Sequence, residues 1–258
     1  FMVLAVDIGN SNICIGGLSG AGHRDIMFTV RMVTRPRCTA DEYAAELRFL
    51  LARLQVDPRR CEGVIVCSVV PGLTGVLAAA CGRLTGCTAM IVSCELDCGM
   101  TFRVDEPARV GRDRIADAAA AAAYYPLPCM TVDLGTATTY NVISENAEFL
   151  GGFIVPGVQT SLRAISKGTA QLPPIAPEPP EVLIGRNTVE ALNNGAMFGT
   201  AAMLDGLAQR VQAQLGKPLT VVATGGLAPY ITPCCQFPVQ YDADLLFKGL
   251  ALLWEKNQ

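Results

Sequence analysis

Two short stretches of this chain carry residues suited to holding a polyphosphate, and both follow one pattern. The first is Ala5-Val6-Asp7-Ile8-Gly9-Asn10-Ser11-Asn12; the second is Thr131-Val132-Asp133-Leu134-Gly135-Thr136-Ala137-Thr138-Thr139. Each opens apolar, then places Asp, an aliphatic residue and Gly, then small hydroxyl or amide residues before turning apolar again. That order reads as strand, glycine turn and returning strand, with the Asp at the end of the first strand. The Gly lets the backbone turn tightly and lets a ligand approach its N–H groups. The carboxylate of Asp7 suits a hydrated Mg²⁺, and Asp133 brings a second carboxylate toward the cation. Taken singly, each stretch is equally an ordinary hairpin turn or a Thr-rich sheet edge. Their repetition in two successive portions points to a duplicated domain gripping one ligand between its halves.

Three other stretches add chemistry. Thr224-Gly225-Gly226-Leu227-Ala228 follows an apolar run, and Gly225-Gly226 lets backbone lie flat against a planar ring such as adenine, or simply makes a turn. Gly111-Arg112-Asp113-Arg114 stands at a helix start. There Asp113 is either an N-cap or a base accepting a substrate hydroxyl proton, with Arg114 gripping an anionic group. Gly185-Arg186-Asn187-Thr188 opens a long helix, and Thr188 either caps it or offers its hydroxyl and free N–H groups to a substrate carboxylate or amide. Phosphoryl transfer needs little more than a positioned nucleophile, neutralised phosphates and in-line geometry.

The elements that must position these residues form an α/β pattern stated twice. Strands are expected over 2–8, 13–18 and 25–33, and Thr39-Ala40-Asp41-Glu42 is a capping box. Its helix places Tyr43, Leu47, Leu50, Leu51 and Leu54 on one face. The apolar run 63–70 reads as a strand covered on both faces, ended by Pro71-Gly72; a helix to about 84 and a strand over 88–92 follow. Residues 97–110 read as irregular and 115–125 as an Ala-rich helix. The pattern then restarts with strands at 130–134, 139–143 and 148–155 around a turn at Glu145-Asn146. A short helix to about 166, a Pro-rich connector (173–180), a helix over 188–215, a strand over 219–223 and an amphipathic helix over 242–256 complete it. In that last helix Leu245, Leu246, Leu250 and Leu253 face inward.

Composition narrows the function. Of 258 residues 51% are hydrophobic and 17% charged, which fits a well-buried globular protein and excludes disorder. A net charge of −3 without any Lys/Arg run gives no footprint for nucleic acid. No stretch reaches the length of a membrane span, and no charged segment followed by an apolar one opens the chain. Phe1 ahead of Met2 reads as an addition to the natural start. The eleven cysteines are odd in number and mostly lie in apolar runs (Cys14, Cys67, Cys81, Cys129), so they read as buried cytosolic thiols. Cys234-Cys235 lacks zinc-site spacing. The single histidine, His23, follows the turn Ser19-Gly20-Ala21-Gly22 and reads as a solvated turn residue; a His-based triad is excluded.

At these residues the sequence resembles type III pantothenate kinase, of the acetate kinase/sugar kinase/Hsp70/actin superfamily, over nearly its whole length. The resemblance rests on Asp7 to Ser11, Ser68-Val69-Val70-Pro71, Val110 to Arg114, and Asp133 to Thr139. The runs Gly151 to Gly157, Thr169 to Pro173 and Ala223 to Leu227 add to it. It implies duplicated ribonuclease H-like (actin-like) domains, mixed sheets flanked by helices, divided as 1–114 and 115–258. It further implies ATP-dependent phosphorylation of pantothenate to 4′-phosphopantothenate, opening coenzyme A synthesis, in a cytoplasmic homodimer with the substrate pocket near the subunit interface. Mg²⁺ and an activating monovalent cation (K⁺ or NH₄⁺) are implied as well. Carried over by position, Asp7, Ile8, Gly9, Asn10, Ser11, Asn12, Ile13 and Cys14 form the first phosphate loop, with Asp7 near Mg²⁺. Asp113 becomes the catalytic base, and Gly111, Arg112 and Arg114 join it in the pantothenate segment. Asp133 becomes the monovalent-cation ligand, Thr136 an ATP contact and Thr188 a pantothenate contact.

Three positions depart from the family pattern. Ser11 replaces Thr and keeps the hydroxyl. Arg112 replaces a small residue; pointing inward, it would lower the Asp113 pKa and crowd the pocket. Val104 replaces a Tyr that lines the pantothenate site. The last two leave room for a weakened paralogue acting as a regulator or binding protein, and the nucleotide hairpins alone would also serve another small-molecule kinase or phosphatase of the superfamily.

Overall fold

The computed structural model describes residues 2–258; Phe1, read above as an addition, lies outside the described residues. The chain opens with an antiparallel meander, β1 (Met2–Ile8), β2 (Asn12–Ser19) and β3 (Asp25–Val33). Helix α1 (Ala40–Arg53) then leads to β4 (Cys61–Ser68), α2 (Pro71–Thr85) and β5 (Ala89–Ile91). Two-residue β6 (Thr101–Phe102) and helix α3 (Arg112–Tyr124) follow. A second meander, β7 (Cys129–Leu134), β8 (Ala137–Ile143) and β9 (Glu148–Pro156), precedes α4 (Val158–Gly168) and the long α5 (Thr188–Leu215). Strand β10 (Thr220–Thr224), short α6 (Ala228–Ile231), β11 (Gln240–Tyr241) and α7 (Leu245–Lys256) close the sequence.

The two sheets have one plan. The first is ordered β3-β2-β1-β4-β5; the second is β9-β8-β7-β10-β11 read from the other end, with β6 added beside β9. In both, the meander strands pair antiparallel and the central strand pairs parallel with the strand that follows the helices. The duplication read from the two Asp-x-Gly stretches is therefore a duplication of topology.

Local chemistry explains the element ends. Thr39 caps α1: the Glu42 N–H donates to its hydroxyl at 3.3 Å, and its own N–H donates to Glu42 Oε2 at 2.7 Å. Tyr43, Leu47 and Leu51 are fully buried on the inner face, worth roughly 1.5–3 kcal/mol each. Leu50 only packs partly, and Leu54 does not join them: the helix ends at Arg53, so Leu54 is the C-cap and stands 42% exposed. Helix α2 starts on Pro71 and stops at Gly86, whose φ of 77° suits only a residue without Cβ. Helix α5 is capped by Asn187, whose side chain accepts from the Glu190 N–H at 2.9 Å. Thr188 is thus the first helical residue and not the cap, because the Asn side chain already holds that donor.

The chain forms two compact units. One takes residues up to Gly99, Asp105–Ala120 and Leu246–Gln258; the other takes Met100–Val104 and Ala121–Leu245. The sequence-based division is a single cut after Arg114, whereas these units interleave. The reason lies in α7, whose side chains complete the first unit. Phe247 lies against Gly16 of β2, Trp254 covers Gly63 of β4, and Gly249 meets the Ala116 backbone of α3. The first core gathers Leu4, Val6, Ile8, Ile13 and Ile15 with Leu47, Leu73 and Leu77. The second gathers Met130, Val132 and Tyr140 with Met197, Leu204 and Val221.

His23 differs from its reading as a solvated residue. Its Nδ1 faces Glu255 of α7 and its Nε2 faces Glu62 of β4, so the ring joins three parts of the first unit. The eleven cysteines carry free thiols. Among the described residues no helix is long and apolar enough to cross a membrane.

Candidate functional site

In the first unit the β1–β2 turn is fixed by backbone. Gly9 donates to the Asn12 carbonyl at 2.9 Å, and the Thr34 hydroxyl donates to the Gly9 carbonyl at 2.6 Å. Thr34 also donates its N–H to the Ser11 carbonyl at 3.1 Å, so the residue after β3 clamps the turn from outside. Beside it, Val69 N–H donates to the Ile8 carbonyl at 3.0 Å, and the Val70 N–H bonds to the Ser68 hydroxyl at 3.2 Å. These bonds hold the Ser68 to Pro71 turn next to the first hairpin.

Asp7 pairs across the sheet with Cys14 of β2 and in parallel with Cys67 of β4; Cys14 in turn pairs with Arg31 of β3. Directly paired residues point to the same face, so Arg31, Cys14, Asp7 and Cys67 form one row. The first turn of α3 reaches that row. Burial holds the Cys67 thiol well above its ordinary pKa, and the carboxylates of Asp7, Asp113 and Asp117 push it the same way while Arg112 opposes them. Three carboxylates from two elements thus act through space on one buried thiol near the C-terminal end of β4, without closing into a ligand-like cluster.

Asp113 is not an N-cap. The first helical bond of α3 runs from the Ile115 N–H to the Gly111 carbonyl, and Asp113 lies inside the first turn, taking the Arg114 N–H at 2.8 Å. A Cβ at Gly111 would lie 2.6 Å from Asp113 Oδ1, so the glycine makes room for the carboxylate. Burial raises the Asp113 pKa, and the Arg114 N–H and guanidinium offset this only in part. Arg114 therefore supplies the cation acting on Asp113. Arg112 lies near enough to act on Cys67, yet the lowered Asp113 pKa expected from an inward Arg112 is not found; the net shift is upward.

In the second unit the corresponding carboxylate is Asp133, paired with Thr139 of β8 and Thr224 of β10. The glycines around it leave a space that side chains would fill. A Cβ on Gly225, whose φ is 93°, would fall 2.6 Å from Asp133 Oδ1 and 2.8 Å from the Leu134 backbone. A Cβ on Gly157 would fall 2.2 Å from the Gly135 carbonyl oxygen. The Thr136 carbonyl is held at 3.1 Å by the Gly157 N–H and at 2.7 Å by the Thr160 hydroxyl. Gly226 meets nothing within 4 Å on its Cβ side. Thr188 stands on this unit at the head of α5, behind Gly185, whose Cα packs against the Glu190–Ala191 backbone. Val104 is likewise part of this unit and faces Gly151.

Asp117, Arg31 and Thr34 did not stand out in the sequence, and Gly157 did so only as the end of a matching run. Asp117 had a signal: it lies four residues after Asp113, hence on the same helical face, and it is 2% exposed.

Asp7 has the thiols of Cys14 and Cys67 beside it, both held protonated by burial, so the groups it can offer a hard divalent cation are its own carboxylate and the side-chain oxygens of Asn10 and Ser11. Among the described residues no group of three or more His, Cys, Asp or Glu forms a metal cluster. One or two carboxylates is what Mg²⁺ takes from a protein when phosphate oxygens and water supply the rest.

The family model described as type III pantothenate kinase matches residues 3–210. A protein named type III pantothenate kinase from Solibacter usitatus is 38% identical over 256 residues, covering 99% of this chain and 97% of that one. The chain belongs to the type III pantothenate kinase family. Among solved structures, a conserved putative Baf family transcriptional activator from Campylobacter jejuni matches with a TM-score of 0.59 at 20% identity. That match covers 97% of this chain and 96% of the other. The activator of 2-hydroxyisocaproyl-CoA dehydratase from Clostridium difficile, with bound ADPNP, matches with a TM-score of 0.58 at 11% identity, covering 99% and 94%. These likenesses establish the actin-like α/β fold of the family, with mixed sheets flanked by helices.

Proposed function

We propose that this chain phosphorylates the primary hydroxyl of pantothenate with ATP, giving 4′-phosphopantothenate at the head of coenzyme A synthesis. The family match along the chain carries this reading, and the buried carboxylate on the first turn of α3 supports it chemically. Bound ATP supplies the phosphoryl group, with Mg²⁺ neutralising its oxygens.

The protein's own groups do the rest. Asp113 takes the hydroxyl proton as the oxygen becomes nucleophilic, and its raised pKa makes it a better base than an ordinary Asp. Arg114, fixed beside it, holds the substrate's anionic end, with Gly111 and Arg112 flanking the same segment. The first hairpin, Asp7 to Cys14, presents N–H and side-chain groups to phosphate, and Asp7 holds the Mg²⁺. On the second unit Asp133 takes a monovalent cation, K⁺ or NH₄⁺, and Thr136 and Gly225-Gly226 receive the nucleotide. Thr188 offers its hydroxyl to pantothenate, freed for this by Asn187 acting as the cap.

The assembly is a homodimer in a cytoplasmic setting. Leu183 and Ile184, 65% and 80% exposed just ahead of Thr188, support a second copy covering that face. An odd number of cysteines supports a reducing compartment.

A coupled assay of ADP formation tests the function. Pantothenate-dependent turnover requiring Mg²⁺ and stimulated by K⁺ is expected. Absence of turnover with pantothenate, alongside activity on another alcohol, would overturn the substrate.

A further inference from the structure

A triphosphate brought to Asp7 meets carboxylates. Asp7, Asp113 and Asp117 all act on the space around Cys67, and bringing a polyanion there calls for fixed cations beyond a metal ion. Arg112 and Arg114 sit on the helix side, next to the proposed base. On the sheet side one cation lies in register: Arg31 of β3, directly across from Cys14, which is itself directly across from Asp7. Antiparallel partners share a face, so the guanidinium rises on the side that carries the two aspartates of α3. On that side it acts on the Cys14 thiol, partly offsetting the rise that burial imposes on it. The register sets Arg31 beside Cys14 and Cys14 beside Asp7, while Arg31 as a whole remains solvent-exposed.

We propose that Arg31 is a phosphate-contacting residue of the first hairpin, set beside Cys14 so that its guanidinium meets a nucleoside triphosphate seated at Asp7. This rests on the kinase reading above and extends it, since the phosphate loop of 7–14 gains its cation from the third strand. Arg suits the task because its planar fork binds two phosphate oxygens at once.

Titration calorimetry with a non-hydrolysable ATP analogue and Mg²⁺ reads the contact without turnover. A lost charge-assisted hydrogen bond corresponds to roughly a tenfold or greater loss of affinity. Arg31→Gln is expected to show such a loss with an unchanged melting temperature, and Arg31→Lys to recover part of it. In steady state the KM for ATP should rise in parallel while the KM for pantothenate stays within about twofold of wild type. Wild-type analogue affinity in Arg31→Gln would overturn the proposal, as would equal losses for both substrates accompanied by a lower melting temperature. If the wild type binds the analogue but does not turn over pantothenate, the substrate reading falls and the calorimetric comparison still decides Arg31.

Discussion

Asp113 shows how one residue acquires a chemical role from its surroundings. Its carboxylate is buried on the first turn of α3, and desolvation raises its pKa despite the help of Arg114. For such a group the native state binds its proton more tightly than the unfolded chain does. The cost of holding it ionised therefore grows as pH rises through the ordinary Asp range, near 3.9, up to the folded pKa. Two outcomes follow. Asp113→Asn should reduce kcat by roughly 10²–10⁴-fold while leaving the melting temperature equal or higher, since a desolvated charge is removed. The acidic limb of the kcat/KM profile should lie above the ordinary Asp value in the wild type and vanish in the variant; a limb unchanged in Asp113→Asn would assign it to another group. At Gly225 the argument is steric. Alanine there must hold φ near 93° and press its Cβ on the Asp133 carboxylate. Such strain costs on the order of 1–3 kcal/mol, so Gly225→Ala should lower both the melting temperature and nucleotide affinity, measured by thermal shift with and without ATP. Asp113 and Gly225 could be picked out from sequence because each stands beside a local signal, a helix start or a strand end. Arg31 and Asp117 could not, since their meaning depends on which strands and helices come together.

At the scale of elements, ends were easier to read than allegiances. The helix over 188–215 and the capping box at Thr39 follow from period and cap chemistry that lie within a few residues of each other. The two-residue strands β6 and β11 have no period to show, and they appear only because a neighbouring strand offers its edge. The capping box makes its own prediction: Thr39→Ala should cost about 1 kcal/mol by denaturant unfolding without altering kcat. His23 makes another. Burial favours the neutral ring, but hydrogen bonds to Glu62 and Glu255 outweigh it, and the folded pKa is raised above 6.5. The contribution of this contact is therefore complete below about pH 6.5 and fades as pH climbs through the folded value. Glu62 from β4 and Glu255 from α7 are the charged groups facing the ring. The melting temperature of the wild type should fall between pH 6 and 9 by more than that of His23→Gln; parallel curves would show that the ring stays neutral.

For the whole molecule, the doubled topology was foreshadowed by the two Asp-x-Gly hairpins, because each puts the same residue types at the end of the first strand of a meander; the steric need for glycine is tight at Gly9, where a Cβ would lie 3.0 Å from the Asn12 carbonyl, and relaxed at Gly135. The interleaving of the units was not, since nothing in the amphipathic pattern of α7 says which sheet it will cover. Its inner residues Leu250 and Leu253 are fully buried, and Trp254 lies over Gly63. Stopping the chain at residue 244 should thus unravel the first unit, Asp113 included, and a soluble, cooperatively melting truncation would contradict this assignment of α7. The arrangement also sets a timetable for synthesis on the ribosome. The first ninety-nine residues emerge early, yet their sheet lacks the cover of α7 until residues 246–258 are translated, while the second unit already has all its strands. The half of the protein made first is the half finished last, and a nascent chain stalled before α7 would leave β2 and β4 without the Phe247 and Trp254 rings that cover Gly16 and Gly63.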